Sequence, residues 1–195
     1  MPNLPLWIWL IAALLLFWAA GAYNRLVRLR SRANAAFAAL DEQLVRQFVW
    51  VQGCLPESMR GGGHTSPADL QDSVTAAWAR LHAASEQFAA ALAKARGHVS
   101  DTAIMAGLVL SHEAMRRAWN AALTGAVGAD AVPSAERLQM RWLRLLHQAQ
   151  PLRAAFNDAA QTYNNAVSQF PASMLARLLG FRPIGTLTKL AQPND

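Results

Sequence analysis

The feature that most limits what this chain can fold into is the run Leu4 to Tyr23, LPLWIWLIAALLLFWAAGAY, which holds twenty residues and no charge. As a helix rising about 1.5 Å per residue it reaches roughly 30 Å, the thickness of a bilayer's hydrocarbon core. It is apolar on every face, which suits lipid better than a place in a soluble core. Trp7 and Trp9 stand near one end, and Trp18 and Tyr23 toward the other, where interfacial aromatic belts lie. Pro5 falls in the first turn, where its missing N–H costs nothing. The run predicts a single transmembrane anchor over residues 1–24. Ala20-Gly21-Ala22 has the small-x-small form of a cleavage site, so a secreted bundle after signal cleavage is the rival reading. Two features oppose it. No Lys or Arg precedes the run, and Arg25, Arg28, Arg30 and Arg32 follow it with no acid before Asp41. The positive-inside rule keeps such a flank in the cytoplasm and the short N-terminus outside.

All 18 Lys and Arg and all 12 Asp and Glu lie beyond Asn24, so the net charge of +6 belongs wholly to the part outside the span. The four flanking arginines can meet anionic headgroups, each worth on the order of 1 kcal/mol there. Ala is abundant and clusters of Val, Ile and Thr are few, which favours helix over sheet. The single cysteine, Cys54, excludes an intramolecular disulfide.

Leu26, Leu29, Ala33, Phe37, Leu40, Leu44, Phe48, Val51 and Leu55 recur at steps of three and four. That is one apolar stripe running directly out of the anchor, so anchor and first bundle helix read as one rod. Gly53, Pro56 and Gly61-Gly62-Gly63 break it. Ser66-Pro67 reads as the cap and first position of a second helix, carrying Leu70, Val74, Trp78, Leu81, Phe88 and Leu92 and stopping at Gly97. Ser100-Asp101 caps a third, through Ile104, Leu108, Met115 and Trp119 to about Gly125. Residues 125–133 read as a loop. Ser134 caps the last long helix, with Leu138, Trp142, Leu145, Leu152, Phe156, Tyr163, Val167 and Phe170, and Pro151 is expected to kink or divide it. A short helix follows between Pro171 and Gly180, then an irregular tail. The fold class expected is all-α: an N-terminal transmembrane helix continuing into an antiparallel, elongated four-helix bundle over residues 25–180, with an irregular tail over 181–195.

No catalytic or metal constellation emerges. The histidines, at 64, 82, 98, 112 and 147, never pair at the i, i+4 spacing of two ligands on one helical face, and read as polar surface residues. His112-Glu113 opens like a metalloprotease motif, but position 116 is Arg. Asp41 and Glu42 are neighbours that point in different directions, and Asp69 and Asp72 suit a helix start. The glycine run lacks the Lys-Ser/Thr of a phosphate loop. Arg116-Arg117 and Arg137, Arg141 and Arg144 form basic strips, for which a solvated helix face or anionic lipid is a simpler reading than nucleic acid.

Two segments carry a resemblance. The first is Tyr23-Asn24-Arg25-Leu26-Val27-Arg28-Leu29-Arg30 with Leu40-Asp41-Glu42-Gln43-Leu44-Val45-Arg46. The second runs from Phe156-Asn157-Asp158-Ala159 through Tyr163-Asn164-Asn165-Ala166-Val167 and Phe170-Pro171 to Ala176-Arg177-Leu178-Leu179-Gly180-Phe181. Together they resemble the LemA family of bacterial membrane proteins. The chain departs from the family's pattern after Arg46, where Gln47-Phe48 leads into Val49-Trp50-Val51-Gln52-Gly53 with no Pro-Asn, and residues 56–150 show little that aligns. The resemblance is to a divergent member. It implies a single-pass protein of the bacterial inner membrane with a helical, coiled-coil-like domain, and it implies no enzymatic activity.

Phe156, Tyr163 and Phe170 stand seven apart, nearly along one helical face, and Asn157 and Asn164 follow at the same interval. The plain reading has the aromatics packing on the first helix while the amides hold register. The alternative has Asp41, Asn157, Asn164 and Tyr163 forming a polar interaction site. The function expected is a non-enzymatic, membrane-anchored scaffold that recruits a protein partner or another copy of itself. A membrane-surface sensor or remodeller acting through Arg25, Arg28, Arg30 and Arg32 is the alternative. Neither reading calls for a cofactor, a metal, a nucleic acid or a small-molecule substrate.

Overall fold

The structure is a computed structural model and describes residues 5–56, 73–126 and 132–187. These residues form five helices and no strand: α1 Leu6–Cys54, α2 Ser73–Gly97, α3 Thr102–Ala126, α4 Val132–Ser168 and α5 Ala172–Leu178. α1 is one unbroken helix of 49 residues, as the continuous stripe predicts. Its end is set by Pro56 rather than Gly53. Leu55 takes extended backbone at φ −66° and ψ 143°, the region to which the residue before a proline is confined.

Asp101 caps α3 by accepting the backbone N–H groups of Ala103 at 2.9 Å and Ile104 at 3.2 Å. Four expectations need correction or fall outside the description. Ser66-Pro67 lies outside the described residues. α4 already begins at Val132, so Ser134 sits inside its first turn and not at its cap. α4 runs on through Pro151 without dividing, and it ends at Ser168. Phe170 therefore stands beyond the helix, immediately before Pro171, and is 80% exposed instead of packed. The aromatic heptad contributes Phe156 and Tyr163 to the core but not its third member.

α1 pairs mainly with α4, and α2 with α3. The contacts run in opposite order along α1 and α4 and along α1 and α2. Phe37 meets Phe156 at 5.5 Å between ring centroids, and further along α1 Trp50 meets Trp142 at 6.0 Å. Gln52 reaches Ser85 and Glu86 of α2, while Asp41 reaches Arg96. The stripe of α1 is buried at Leu26, Leu29, Ala33, Phe37, Leu40, Leu44, Val51 and Leu55. Leu81, Phe88 and Leu92 of α2, Leu108, Met115 and Trp119 of α3, and Trp142 and Phe156 of α4 complete one core. Toward one end Trp50, Trp119 and Trp142 pack together, with centroids 4.7 to 6.0 Å apart. The Trp119 indole N–H donates to Gln139 Oε1 at 3.1 Å.

The first helix is long and apolar enough to cross a membrane, and only 6% of its most apolar stretch is buried by the rest of the chain. That separates it from a core helix of a soluble protein, which would be covered.

Candidate functional site

α5 ends in a Schellman arrangement. Gly180 takes φ +72°, Phe181 N–H donates to Ala176 C=O at 2.9 Å, and Gly180 N–H donates to Arg177 C=O at 3.3 Å. The left-handed residue is glycine because a side chain is strained there. The turn sends the following segment, residues 181–187, back along α4. The sequence reads this stretch as irregular tail. It has no repetitive structure, but it is firmly docked.

Asn157 and Asn164 do the docking. Asn164 accepts the Ile184 N–H at 2.8 Å and donates to the Ile184 C=O at 2.8 Å. Asn157 does the same for Leu187, at 2.7 Å and 3.0 Å. The Tyr163 hydroxyl donates to the Arg182 C=O at 3.1 Å. Burial pushes the Tyr163 phenol above its ordinary value, against the opposing pull of the Arg30 cation, so the donor proton is retained. The seven-residue interval has a geometric reason. Seven residues of helix advance about 10.5 Å, and three residues of extended chain cover about 9–10 Å. A primary amide carries one acceptor and one donor edge, so each Asn satisfies both backbone groups of one residue and ignores its side chain. Ile184 and Leu187 turn into the core, while Arg182, Pro183 and Thr186 face out.

Gly185 lets the segment lie against the start of α3. A Cβ there would come within 3.1 Å of Met105 and 3.2 Å of the Thr102 backbone, and the Gly185 N–H donates to Val99 C=O at 3.3 Å. Replacing Asn157 and Asn164 together by alanine removes four hydrogen bonds, each worth about 1 kcal/mol net. Amide exchange at Ile184 and Leu187 is expected to accelerate at least about 100-fold while helix content holds. Unchanged protection at both amides would show that side-chain burial alone docks the segment. Gly185→Ala should act in the same direction.

Beside the docked segment a surface groove of about 340 Å³ opens between Arg30, Asn34, Phe37, Asp41, Arg96, Val99, Ser100 and Ile184. Its floor is apolar and its rim carries both signs of charge. Arg96 Nε lies 2.9 Å and 3.1 Å from the two Asp41 oxygens, a half-exposed pair worth up to about 1 kcal/mol. The structure does not bring Asp41 to the two asparagines. Asp41 belongs to the groove, the amides face the segment's backbone, and only Ile184 connects them.

A second polar cluster lies inside the bundle, and the sequence reading missed it. His112, read as a surface residue, is fully buried. Gln47 donates to Leu145 C=O at 3.1 Å, which leaves its Oε1 to accept from His112 Nε2 at 2.9 Å. Gln43 donates to Leu145 C=O and to Gln148 Oε1. The histidine proton is thus on Nε2. Nδ1 is buried with no hydrogen-bond partner among the described residues, as are Nε and Nη1 of Arg153. Burial, then the cations of Arg116 and Arg153, lower the His112 pKa to about 4. The available signal was Gln43 and Gln47 standing one turn apart on the flank of the apolar stripe. Among the described residues no group of three or more His, Cys, Asp or Glu is placed to hold a metal.

Arg25, Arg28, Arg30 and Arg32 are all exposed on α1 where it leaves the apolar run. Ala20-Gly21-Ala22 lies inside the unbroken helix. Comparisons with family models, with curated proteins and with solved structures find no match for this chain.

Proposed function

We propose that the protein is a non-enzymatic, membrane-anchored scaffold, an elongated antiparallel four-helix bundle of divergent LemA type that recruits another polypeptide to the bilayer. The observation that carries this reading is the open groove beside the docked segment, where the Asp41–Arg96 pair stands next to Phe37, Val99 and Ile184. Asn157 and Asn164 hold residues 184 and 187 in place, and Ile184 thereby lines the groove. The adjoining groove, with Asp41 and Arg96 over Phe37, Val99 and Ile184, supplies the charged and apolar contacts that choose a partner. The arginine flank supports an N-terminus outside and the bundle in the cytoplasm of a bacterial cell, on a single-pass inner-membrane anchor.

The test is site-specific photocrosslinking in living cells. A photoreactive side chain at Asn34 or Ala38, both in the groove, is expected to give a discrete adduct with a polypeptide, and one at exposed Ala154 on α4 is not. Adducts with lipid alone would favour a second reading, a membrane-surface sensor working through the four exposed arginines. Identical polypeptide adducts from the groove and from Ala154 would remove the groove from consideration.

A further inference from the structure

α5 and its flanking turns carry four large apolar side chains that the chain itself leaves uncovered. Phe170 is 80% exposed, Met174 68%, Leu178 82% and Leu179 48%. Met174 and Leu178 stand four apart on one face of α5, Phe170 precedes the helix next to Pro171, and Ala176 on another face is buried. Contiguous exposed apolar surface of this kind marks a contact with something else.

Its place in the fold says what that is. A cavity of about 380 Å³ is bounded on one side by Trp18, Gly21, Ala22 and Arg25 of α1 and on the other by Gln169, Phe170, Pro171 and Ala172. The Tyr23 ring meets the Phe181 ring at 6.0 Å. The start of the patch is therefore level with the last turns of the apolar run and the first arginine. Trp18 to Arg25 is about 10 Å of helix. In a chain whose α1 crosses a bilayer, that depth is the boundary between acyl chains and headgroups. The charge agrees. Residues 5–40 and 159–187 contain Arg25, Arg28, Arg30, Arg32, Arg177 and Arg182 and not one Asp or Glu. Arg177 and Arg182, on either side of the Gly180 turn, are exposed.

We infer that α5 is a second membrane contact, a short helix lying in the bilayer interface beside the span. Phe170, Met174, Leu178 and Leu179 enter the acyl boundary, and Arg177 and Arg182 meet anionic phosphates. An apolar face with cationic flanks lies in the interfacial plane in this way, buried about 5–10 Å. The bilayer is favoured over a protein partner because the patch is continuous with the span. The inference rests on α1 crossing the membrane, and the test separates the two.

The full chain, with Cys54→Ser to clear the native thiol, is reconstituted into mixed phosphatidylcholine–phosphatidylglycerol vesicles. A polarity-sensitive fluorophore is placed through a new cysteine at Phe170, Met174 or Leu178. Leu14 in the span and Val49, about 39 Å beyond Tyr23 along α1, serve as references. Labels at 170, 174 and 178 are expected to emit blue and to be quenched by brominated lipid, as at 14, while 49 stays aqueous. Arg177→Glu with Arg182→Glu should reduce that quenching in the anionic vesicles and leave it unaltered at 14. Aqueous emission at 170, 174 and 178 with a lipid signal at 14 would overturn the interfacial helix and leave the anchor standing. Aqueous emission at 14 as well would overturn both.

Discussion

Trp119→Ala is expected to cost the bundle about 3–5 kcal/mol, the range for truncating a fully buried large aromatic. Trp119 has no exposed surface and packs on Trp50 and Trp142 at 4.7 Å and 5.5 Å. Removing it empties the space between α1, α3 and α4 and leaves Gln139 Oε1 without its indole donor. For a domain of this size the melting midpoint should fall by roughly 6–20 °C, read by circular dichroism in detergent. Trp119→Phe keeps most of the ring, so its loss should be near 1 kcal/mol, mostly the hydrogen bond. Met140→Ala, at an exposed position on α4, should stay within about 0.5 kcal/mol. A loss below about 1 kcal/mol for Trp119→Ala would mean that the three tryptophans do not form the packed end of the core.

The second large effect is acid sensitivity centred on His112. Its pKa in the fold is about 4, against an ordinary value of 6.5. A group depressed on folding binds its proton more readily in the unfolded chain. Its neutral state therefore contributes fully above about pH 6.5, and that contribution is lost as pH falls toward 4. The loss is on the order of 3 kcal/mol. The cause is local. A second proton must go to Nδ1, which faces no acceptor among the described residues, beside the cations of Arg116 and Arg153. Denaturation midpoints between pH 7 and pH 4 should fall steeply in the native chain. His112→Gln, which keeps a donor for Gln47 and carries no titrating proton, should flatten that slope. Parallel slopes for the two proteins would assign the acid sensitivity to other groups.

The two cases show what periodicity conveys and what it does not. A step of three and four assigns Leu26 through Leu55 to one face, and the structure buries that face. Short-range chemistry was equally readable: Asp101 caps α3, and Gly97 is the last residue of α2. What periodicity cannot supply is the identity of the opposite wall. Gln47 meets His112 across 65 positions of sequence, and only the packed bundle reveals that each satisfies the other. A lone histidine on a helix therefore read as surface. Phe170 failed for a nearer reason. Its seven-residue spacing was right, but the helix that would have carried it stops at Ser168, ahead of Pro171.

The candidate site was legible by half. Asn157, Tyr163 and Asn164 were visible as a spaced set of polar groups on an otherwise packing face. Their partner was not, because a segment held by its main chain leaves no side-chain signature. Nothing in Arg182-Pro183-Ile184-Gly185-Thr186-Leu187 repeats, and a non-repetitive segment docked singly on a helix has no neighbouring strand to betray it. Gly185 was the one local clue, needed where backbone lies against Thr102 and Met105. Asp41, grouped in the sequence with the two asparagines and Tyr163, lies apart from them and pairs with Arg96.

Because α1 has no joint between its apolar half and its bundle half, the bundle is not suspended on a tether but mounted on a strut. From Tyr23 to Cys54 the helix continues for 31 residues, about 46 Å, with Pro56 as its first break. If α1 crosses a bilayer, the tryptophan end of the bundle would be held at a set stand-off from the headgroups, and the ladder end close to them. Tilting or rotating the span carries the groove with it, since there is no swivel to absorb the motion. A partner bound at Asp41 and Arg96 would sit at about 27 Å along the same axis from Tyr23, at a height fixed by residue count alone. Lengthening α1 by a single residue below Leu26 would turn the whole domain by about 100° relative to the span. The rod acts as a ruler and a lever at once.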